Sequence, residues 1–381
     1  MASEKADLSR FFPRSGGLSK DRKAEIARHF RAKQMSPKDA KQSTARGLPG
    51  RIRAITFDLD DTVWDGYKTI VRANDKMFEW LQANAPRCAA KYTPGRFREL
   101  MGSVKKREPE IAYDFTALRK RALDIALKDT GYQDAPSVEE AFGAFIAARN
   151  DVYLYDDALE TLRSLRATGV IVGAITNGNA DVWAIPRLAG LFDFSVRAGD
   201  AGEAKPRRAP FDRALECCRR VLAEAGVCAR PGGGESGGLL GVEHILHVGD
   251  SLESDVGGAK RAGFASAWLN RPGAGEAGEA GSRSGSKKPG PGSGLESESD
   301  SKESKGSKSK QGGPPNPSAC APSGSPARSS QGTECEKGAA ARPAPSSAAA
   351  TKCGSAPAQP PVSKLGPDWI IAGLDELCSK L

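Results

Sequence analysis

The stretch ITFDLDDTVWD, Ile55 to Asp65, places Asp58, Asp60 and Asp61 directly after an apolar run. A short apolar run bounded by polar residues is typical of a buried strand, so the three carboxylates are expected where that strand ends. Carboxylates this close repel one another unless a positive group lies among them. The stretch therefore predicts a strand that delivers acidic side chains to a site containing a cation.

Further apolar runs alternate with helical patterns along the chain. The strand-like runs are Ala54–Phe57, Val170–Ile175, Phe194–Arg197, Ile245–Val248 and Ala265–Leu269. Such alternation predicts an α/β fold, a doubly wound parallel Rossmann-like sheet with helices on both faces. Residues 66–151 show only amphipathic helical stretches, and we interpret them as a helical cap domain inserted after the first strand.

Composition divides the remainder of the chain. Residues 1–50 are polar and basic, and we predict a flexible extension there. Residues 272–364 consist mainly of Gly, Ser, Pro, Ala and Lys, with too little apolar surface to offset the entropy of ordering, so we predict a disordered insert. Because residues 365–381 again contain an apolar run and an amphipathic helix, we assign them to the Rossmann-like core together with residues 51–65 and 152–271.

The formal net charge of +9 over 381 residues comes from the two low-complexity regions. Residues 1–53 contain 14 Lys and Arg against 5 Asp and Glu, and residues 272–364 contain 12 against 8. The predicted folded part is therefore mildly acidic, and we expect no nucleic acid partner.

No apolar run reaches the roughly 20 residues of a membrane span, so no membrane partner is expected. The eight Cys lack CxxC spacing, which is typical of reduced thiols. We predict a cytoplasmic protein, with a plastid or other organelle as the alternative because the first residues are basic and contain Ser.

The segment Lys5–Phe12, KADLSRFF, has Leu8, Phe11 and Phe12 at the spacing of a motif that docks onto the DNA sliding clamp. The usual first Gln of that motif is Lys5 here. A local amphipathic turn explains the same pattern, so a sliding-clamp contact is only an alternative for this segment.

Polar side chains follow several of the predicted strands. Asp58 and Asp60 follow the first strand, Thr176 the second and Asp250 the fourth, and Lys205 follows the third strand by a longer loop. The carboxyl ends of parallel strands meet at one edge of a sheet, so we expect these groups to converge. Clustered carboxylates without His or Cys suit Mg²⁺, and a Lys with a hydroxyl group beside them suits a phosphate.

This set of groups predicts phosphoryl chemistry. A carboxylate can attack phosphorus and form an aspartyl-phosphate. A second carboxyl group two residues later can protonate the leaving oxygen and afterwards activate water. The sequence therefore predicts a Mg²⁺-dependent phosphatase whose partner is a small phosphorylated metabolite.

These residues closely resemble the motifs of the haloacid dehalogenase superfamily. Its four motifs are matched in order by Asp58, Asp60 and Thr62, by Thr176, by Lys205, and by Asp250 and Asp255. The resemblance covers residues 52–271 and 366–381, and the helical insertion lies where members with a helical cap carry theirs.

The resemblance implies a role for each of these residues. Asp58 would be the nucleophile and Asp60 the general acid and base. Mg²⁺ would be held by Asp58, by Asp250 and by the main-chain carbonyl of Asp60. The phosphoryl group would be held by Thr176, Asn177 and Lys205, with Thr62 and Asp255 in support. Asp61 occupies a variable position of the first motif and receives no catalytic role.

One subgroup of the superfamily is more similar than others. The stretches AITNGNAD, FSVRAGDAGEAKP and ILHVGDSLESDVGGAKRAG resemble phosphatases of flavin mononucleotide and of 5-amino-6-(5-phosphoribitylamino)uracil in riboflavin metabolism. Aromatic side chains of the cap could stack on such rings, although most are expected to face the cap's own core: Tyr67, Phe78, Trp80, Tyr113 and Phe115.

Three alternatives remain at this point. The substrate could be another small metabolite, such as phosphoglycolate or a sugar phosphate, because neighbouring subgroups share much of these stretches. The protein could instead be an interaction protein that uses its basic N-terminal extension. Dehalogenases of the superfamily lack the second Asp of the first motif, so Asp60 argues against dehalogenation.

Overall fold

The computed structural model describes residues 7–13, 17–32, 51–133, 136–227, 240–272 and 366–381. All of the predicted disordered insert except Pro272 lies outside these residues, so its disorder stays a prediction. Residues 366–381 follow the insert in sequence and pair with the sheet, which makes the insert an interruption of one domain.

Six strands of the described ranges form one sheet in which every pair is parallel. They are Ala54–Phe57 (β1), Ile171–Thr176 (β2), Phe194–Arg197 (β3), Ile245–Gly249 (β4), Ala265–Leu269 (β5) and Trp369–Ile371 (β6). Their order is β3-β2-β1-β4-β5-β6. The predicted fold class is confirmed. Because the order reverses between β1 and β4, a crevice is expected beyond the carboxyl ends of these two strands.

The helices, in chain order, are Lys20–Ala32 (α1), Gly66–Asn84 (α2), Pro86–Lys91 (α3), Pro94–Arg107 (α4), Phe115–Asp129 (α5), Val138–Arg149 (α6), Ala158–Ala167 (α7), Ala198–Ala201 (α8), Ala209–Glu224 (α9), Gly258–Ala262 (α10) and Glu376–Lys380 (α11). Over the described ranges, no helix combines the length and apolarity needed to cross a membrane. The cytoplasmic location stays a prediction.

Helices cover both faces of the sheet, which explains why β1 is buried at every position. On one face, Leu162 of α7 and Leu377 of α11 lie in a hydrophobic cluster with Phe57 of β1. On the other face, Phe211 of α9 lies in a second cluster with Ala54. The sheet is therefore enclosed, and its carboxyl edge is the place where polar groups can collect.

Helices α2 to α6 form the cap and enclose a hydrophobic cluster of their own. Capping side chains fix the starts of α2 and α5: Asp65 accepts from Lys68 N, and Asp114 accepts from Thr116 N and Ala117 N. The first of these caps ends the nucleophile loop, the segment Asp58–Asp65, so the cap begins directly beside the predicted catalytic residues.

The prediction of a flexible extension over residues 1–50 is wrong for residues 7–13 and 17–32. Helix α1 buries Ile26 and Phe30 against the same cluster as α9. Gly169 makes room for it, because a Cβ at this position would lie 2.6 Å from the carbonyl oxygen of Glu25. The composition of the segment is basic, but one face of the helix belongs to the core.

The proposed sliding-clamp motif lies partly in this packed segment. Phe11 is 1% exposed and Phe12 is 5% exposed, and both belong to the core cluster. Lys5 and Ala6 lie outside the described residues. The two aromatic side chains that such a contact would use are therefore packed inside the domain.

Candidate active site

The carboxyl ends of the strands bring three acidic side chains together. Asp58 follows β1, Asp250 follows β4, and Asp255 lies in the π-helical turn Leu252–Gly257. Oxygen atoms of the three carboxylates lie within 4.8 Å of one another. The convergence expected from the strand ends is present.

Lys205 lies inside this acidic cluster. Its Nζ donates to Asp58 Oδ1 at 2.7 Å, to Asp255 Oδ1 at 2.6 Å and to the carbonyl oxygen of Ile175 at 2.6 Å. Burial opposes the charge on this amine, but the Asp255 and Asp58 carboxylates outweigh burial and raise the pKa of Lys205. The ammonium group therefore stays charged and fixes the position of Asp58.

One ammonium group does not balance three carboxylates. Burial raises the pKa of Asp58 well above its ordinary value, despite the opposing effect of Lys205. Burial also raises the pKa of Asp250 to about 7, and the nearby Asp255 carboxylate acts in the same direction. Burial and the neighbouring carboxylates thus both disfavour the ionised forms, and a divalent cation bound to carboxylate oxygens would favour them.

The Asp255 carboxylate forms an ion pair with Lys205. Burial opposes its ionisation, but the Lys205 ammonium and His247 lower the pKa of Asp255. Its Oδ1 lies 3.1 Å from His247 Nε2, and its Oδ2 accepts from Ser251 N at 3.0 Å. The N-cap of the turn is Ser251, whose side chain accepts from Ser254 N.

His247 is fully buried in β4, as expected for a core side chain with satisfied nitrogens. Its Nδ1 lies 3.0 Å from Thr56 Oγ1 and its Nε2 faces Asp255. Burial lowers the pKa of His247. The imidazole therefore helps to fix the position of the Asp255 carboxylate.

The predicted phosphate-binding residues take different places. Thr176 ends β2, and its Oγ1 accepts from Gly178 N at 2.9 Å. Asn177 instead clamps the main chain of Lys205: its Nδ2 donates to Lys205 O at 2.9 Å and its Oδ1 accepts from Lys205 N at 2.7 Å. Thr62 Oγ1 lies 3.5 Å from Asp250 Oδ1. In this arrangement Asn177 orients the loop that carries Lys205.

Asp60 has different surroundings from Asp58. Arg149 Nη2 donates to both of its carboxylate oxygens, at 2.7 and 2.6 Å, and Trp64 Nε1 donates to Oδ1 at 2.8 Å. Asp61, the next residue, has a left-handed backbone (φ 59°) and accepts from Gly66 N at 2.9 Å. Asp61 therefore shapes the turn of the nucleophile loop.

Comparison with known proteins agrees with this geometry. A family model described as haloacid dehalogenase-like hydrolase matches residues 52–263, a range that includes every strand-end residue of the site. The chain belongs to this family of hydrolases.

Two relatives and one crystal structure illustrate the similarity of this haloacid dehalogenase-like hydrolase to known proteins. The 5-amino-6-(5-phospho-D-ribitylamino)uracil phosphatase YigB of Escherichia coli (strain K12) is 34% identical over 230 residues, which cover 58% of this chain and 84% of that protein. A glyceraldehyde 3-phosphate phosphatase of Methanopyrus kandleri is 28% identical over the same coverage. The crystal structure of 2-haloacid dehalogenase from Pseudomonas syringae pv. Tomato DC3000 is 34% identical and covers 57% of this chain and 86% of its own, with a TM-score of 0.47.

A cavity of about 300 Å³ lies between the cap and the core of this hydrolase. Its core side includes Asn177 and Gly178, directly after the end of β2, and its cap side includes Phe115, Phe142 and Ile146. Of the cap aromatics considered from sequence, Phe115 lines this cavity, and Phe78 packs in the cap's own core. The cavity can receive the part of a substrate that extends beyond the strand-end site.

Sequence reasoning missed Arg149 and Phe142. Arg149 is the last residue of α6, and no motif distinguishes it from the many other charged residues of the cap. Phe142 lies one turn of helix before Ile146, and this spacing marks one face of α6 but not what it contacts. Only the folded cap shows which of its side chains meet the nucleophile loop.

Proposed function

We propose that this hydrolase is a Mg²⁺-dependent phosphatase of a small phosphorylated metabolite that acts through an aspartyl-phosphate at Asp58. The observation that carries the proposal is the contact between Lys205 Nζ and Asp58 Oδ1, beside Asp250 and two residues from a second acid, Asp60. A buried carboxylate fixed by a cation is a suitable nucleophile for phosphorus. Lys205 engages Oδ1, so Oδ2 is the candidate attacking atom.

The proposed reaction has two steps, and the proton that Asp60 gives in the first step is recovered in the second. In the first, an Asp58 oxygen forms a bond to phosphorus, the bond from phosphorus to the ester oxygen breaks, and Asp60 gives its proton to the leaving alcohol oxygen. In the second, water attacks the phosphorus, Asp60 takes the proton of that water, and the bond to Asp58 breaks to release inorganic phosphate. Asp60 therefore ends the cycle protonated, ready for the next substrate.

The acidic cluster fits a magnesium ion. Asp58 and Asp250 would hold it with the main-chain carbonyl of Asp60, because Asp255 is already engaged by Lys205, His247 and Ser251. Carboxylate and carbonyl oxygens are the ligands that Mg²⁺ prefers, and oxygen atoms of Asp58 and Asp250 lie within 4.8 Å of each other. When bound, Mg²⁺ supplies charge that stabilises the phosphoryl oxygens in the transition state.

For the substrate we propose flavin mononucleotide or 5-amino-6-(5-phosphoribitylamino)uracil. The relative at 34% identity is named a phosphatase of the second compound. The cavity supports the same class, because Phe115 and Phe142 line it together with asparagine residues, and aromatic side chains can stack on a planar ring. A small sugar phosphate is the second candidate, since two relatives at 28% and 26% identity are named glyceraldehyde 3-phosphate phosphatases.

A substrate panel with purified protein and Mg²⁺ tests this proposal. We expect one of the two ring-bearing phosphates to exceed glyceraldehyde 3-phosphate, phosphoglycolate and hexose phosphates in kcat/KM by about tenfold or more, which equals about 1.4 kcal/mol of transition-state discrimination. Asp58→Asn protein serves as the blank. A sugar phosphate or phosphoglycolate at the head of the panel would overturn the substrate assignment, and phosphate release by the blank would overturn the mechanism.

A further inference from the structure

Arg149 connects the cap to the predicted acid and base. It is the last residue of α6 and 3% exposed, and its Nη2 contacts both oxygens of Asp60 in the nucleophile loop. The guanidinium of this cap residue therefore contacts the two Asp60 oxygen atoms that would carry the proton.

The rest of the Arg149 guanidinium is poorly satisfied. Its Nε and Nη1 are buried and find no hydrogen-bond acceptor among the described residues. Buried donors without partners cost free energy, and a buried ion pair is often no more stable than apolar side chains of the same volume. Stability alone therefore does not explain an arginine at this position.

Arg22 shows what a structural buried arginine looks like in the same protein. It is 2% exposed, yet Nε and Nη2 both donate to Asp193, Nη2 also donates to Val170 O, and Nη1 donates to Arg166 O. All three of its nitrogens have acceptors. In Arg149 only Nη2 has acceptors among the described residues, and these include both carboxylate oxygens of Asp60.

The residues that surround Asp60 restrict the orientation of its carboxylate. Trp64 Nε1 donates to Oδ1 from within the fully buried indole. On another side, a Cβ added to Gly178 would lie 2.5 Å from Asp60 Oδ2 and 3.0 Å from Arg149 Nη2. The orientation of the carboxylate is therefore set jointly by the core, through Trp64 and Gly178, and by the cap, through Arg149.

We infer that Arg149 is a positioning residue for Asp60: it orients the carboxylate for proton transfer when the cap lies against the nucleophile loop. This inference rests on the proposed role of Asp60 as general acid and base. It couples proton transfer to the position of the cap, because the contact is lost if α6 moves away from the loop. It also accounts for a guanidinium that uses only the nitrogen facing Asp60.

The dependence of kcat/KM on the leaving group tests the inference. A poor leaving group needs the proton of Asp60, whereas p-nitrophenolate does not. In Arg149→Met we therefore expect kcat/KM, which reports the steps up to phosphorylation of Asp58, to fall by about 10- to 100-fold for flavin mononucleotide (or for glyceraldehyde 3-phosphate if flavin mononucleotide is not turned over) and by less than about threefold for p-nitrophenyl phosphate. kcat should fall for both substrates, because Asp60 also activates the water of the second step, and Tm should fall, because the Asp60 carboxylate loses its partner. Arg149→Lys, which keeps the charge, should recover part of the loss.

Arg119 provides a matched control. It is a buried cap arginine of α5 that donates to Asn74 and lies over the Phe145 ring, without contact to Asp60. Arg119→Met should leave the ratio of the two substrates unchanged. If Arg149→Met is too unstable to assay, the ratio of kcat/KM for the two substrates in Arg149→Lys tests the positioning role instead.

A double-mutant cycle separates this inference from the proposed function. If Arg149 acts through Asp60, Arg149→Met should add almost nothing to the loss caused by Asp60→Asn. Equal losses of kcat/KM for both substrates in Arg149→Met, or full additivity with Asp60→Asn, would overturn the positioning role. Failure of Asp60→Asn itself to show leaving-group dependence would instead overturn the proposed role of Asp60.

Discussion

Two halves of the active site meet in the nucleophile loop and differ in how they are built. The core-facing half consists of Asp58, Lys205, Asp250 and Asp255. The cap-facing half consists of Asp60, Trp64 and Arg149. Strand ends of one sheet hold the first half, whereas the second half needs a helix from the inserted cap. The exposed fraction of the side chain is 13% for Asp58 and 29% for Asp60, although the two residues are two positions apart. The difference agrees with our proposal that the core alone positions the nucleophile, whereas proton transfer by Asp60 also depends on the cap.

The largest expected effect is on the core-facing half. Asp58→Asn should lower kcat by about 10⁴-fold or more, because the amide cannot form the phosphoryl-enzyme. Asp61→Asn is the matched control: Asn tolerates the left-handed backbone of Asp61 and keeps an oxygen for Gly66 N. Steady-state phosphate release measures both. Near-normal activity in Asp58→Asn, or an equal loss in Asp61→Asn, would contradict the assignment of the nucleophile.

A second effect concerns the charge balance of the same half. The pKa of Asp250 is raised from its ordinary 3.8 to about 7, so the folded protein binds more protons than the unfolded chain between these values. Without divalent cations, stability should therefore fall as pH rises from about 5 to about 7.5, by about 2–4 °C in Tm for each kcal/mol. Because Mg²⁺ binds the ionised carboxylates, its stabilising effect should be larger at pH 7.5 than at pH 5.

Thermal scans in chelator and in Mg²⁺ across this pH range measure the effect. Asp250→Asn is the control, since it removes the titrating group and should flatten the pH dependence of Tm. A Tm that rises with pH in chelator, or an Asp250→Asn slope equal to that of the unmodified protein, would contradict the predicted shortage of positive charge.

The smallest effect is expected on the cap side of the cavity. Phe115 lines the cavity and is 42% exposed, so Phe115→Ala should not disturb the cap core. Loss of ring stacking should lower kcat/KM for flavin mononucleotide by about threefold to tenfold and leave glyceraldehyde 3-phosphate less affected. Tyr132→Ala removes an aromatic side chain that packs on the cap core but does not line the cavity, so it controls for a general loss of cap stability. Equal losses for both substrates would mean that Phe115 does not recognise a ring.

The core-facing half could be predicted from sequence for a physical reason. Asp58, Thr176 and Asp250 each follow an apolar run, and a parallel sheet brings the ends of such runs to one edge. The fold class followed from the same alternation. The role of Asn177 in holding the phosphoryl group stays a prediction, whereas the contact of its side chain with the main chain of Lys205 was not foreseen, because it depends on how two loops meet.

The cap-facing half and the N-terminal helix could not be predicted in this way. A helical pattern shows which residues share a face but not what that face contacts, so Arg149 was indistinguishable from surface charge. In α1, the net charge of the segment obscured Arg22, Ile26 and Phe30, which recur every four residues on one buried face. A buried arginine counts as solvent-exposed charge in any composition argument.

Trapping the intermediate tests the central claim, an aspartyl-phosphate at Asp58, most directly. Asp60→Asn protein should still be phosphorylated by p-nitrophenyl phosphate but should release phosphate slowly, so the phosphoryl-enzyme should accumulate. Acid quenching followed by borohydride reduction converts an acyl phosphate to an alcohol, and mass spectrometry of the digested protein locates the altered residue. The account predicts homoserine at position 58 and unaltered aspartate at positions 60, 61 and 250. Reduction at another position, or a phosphate-labelled residue other than Asp58, would contradict it.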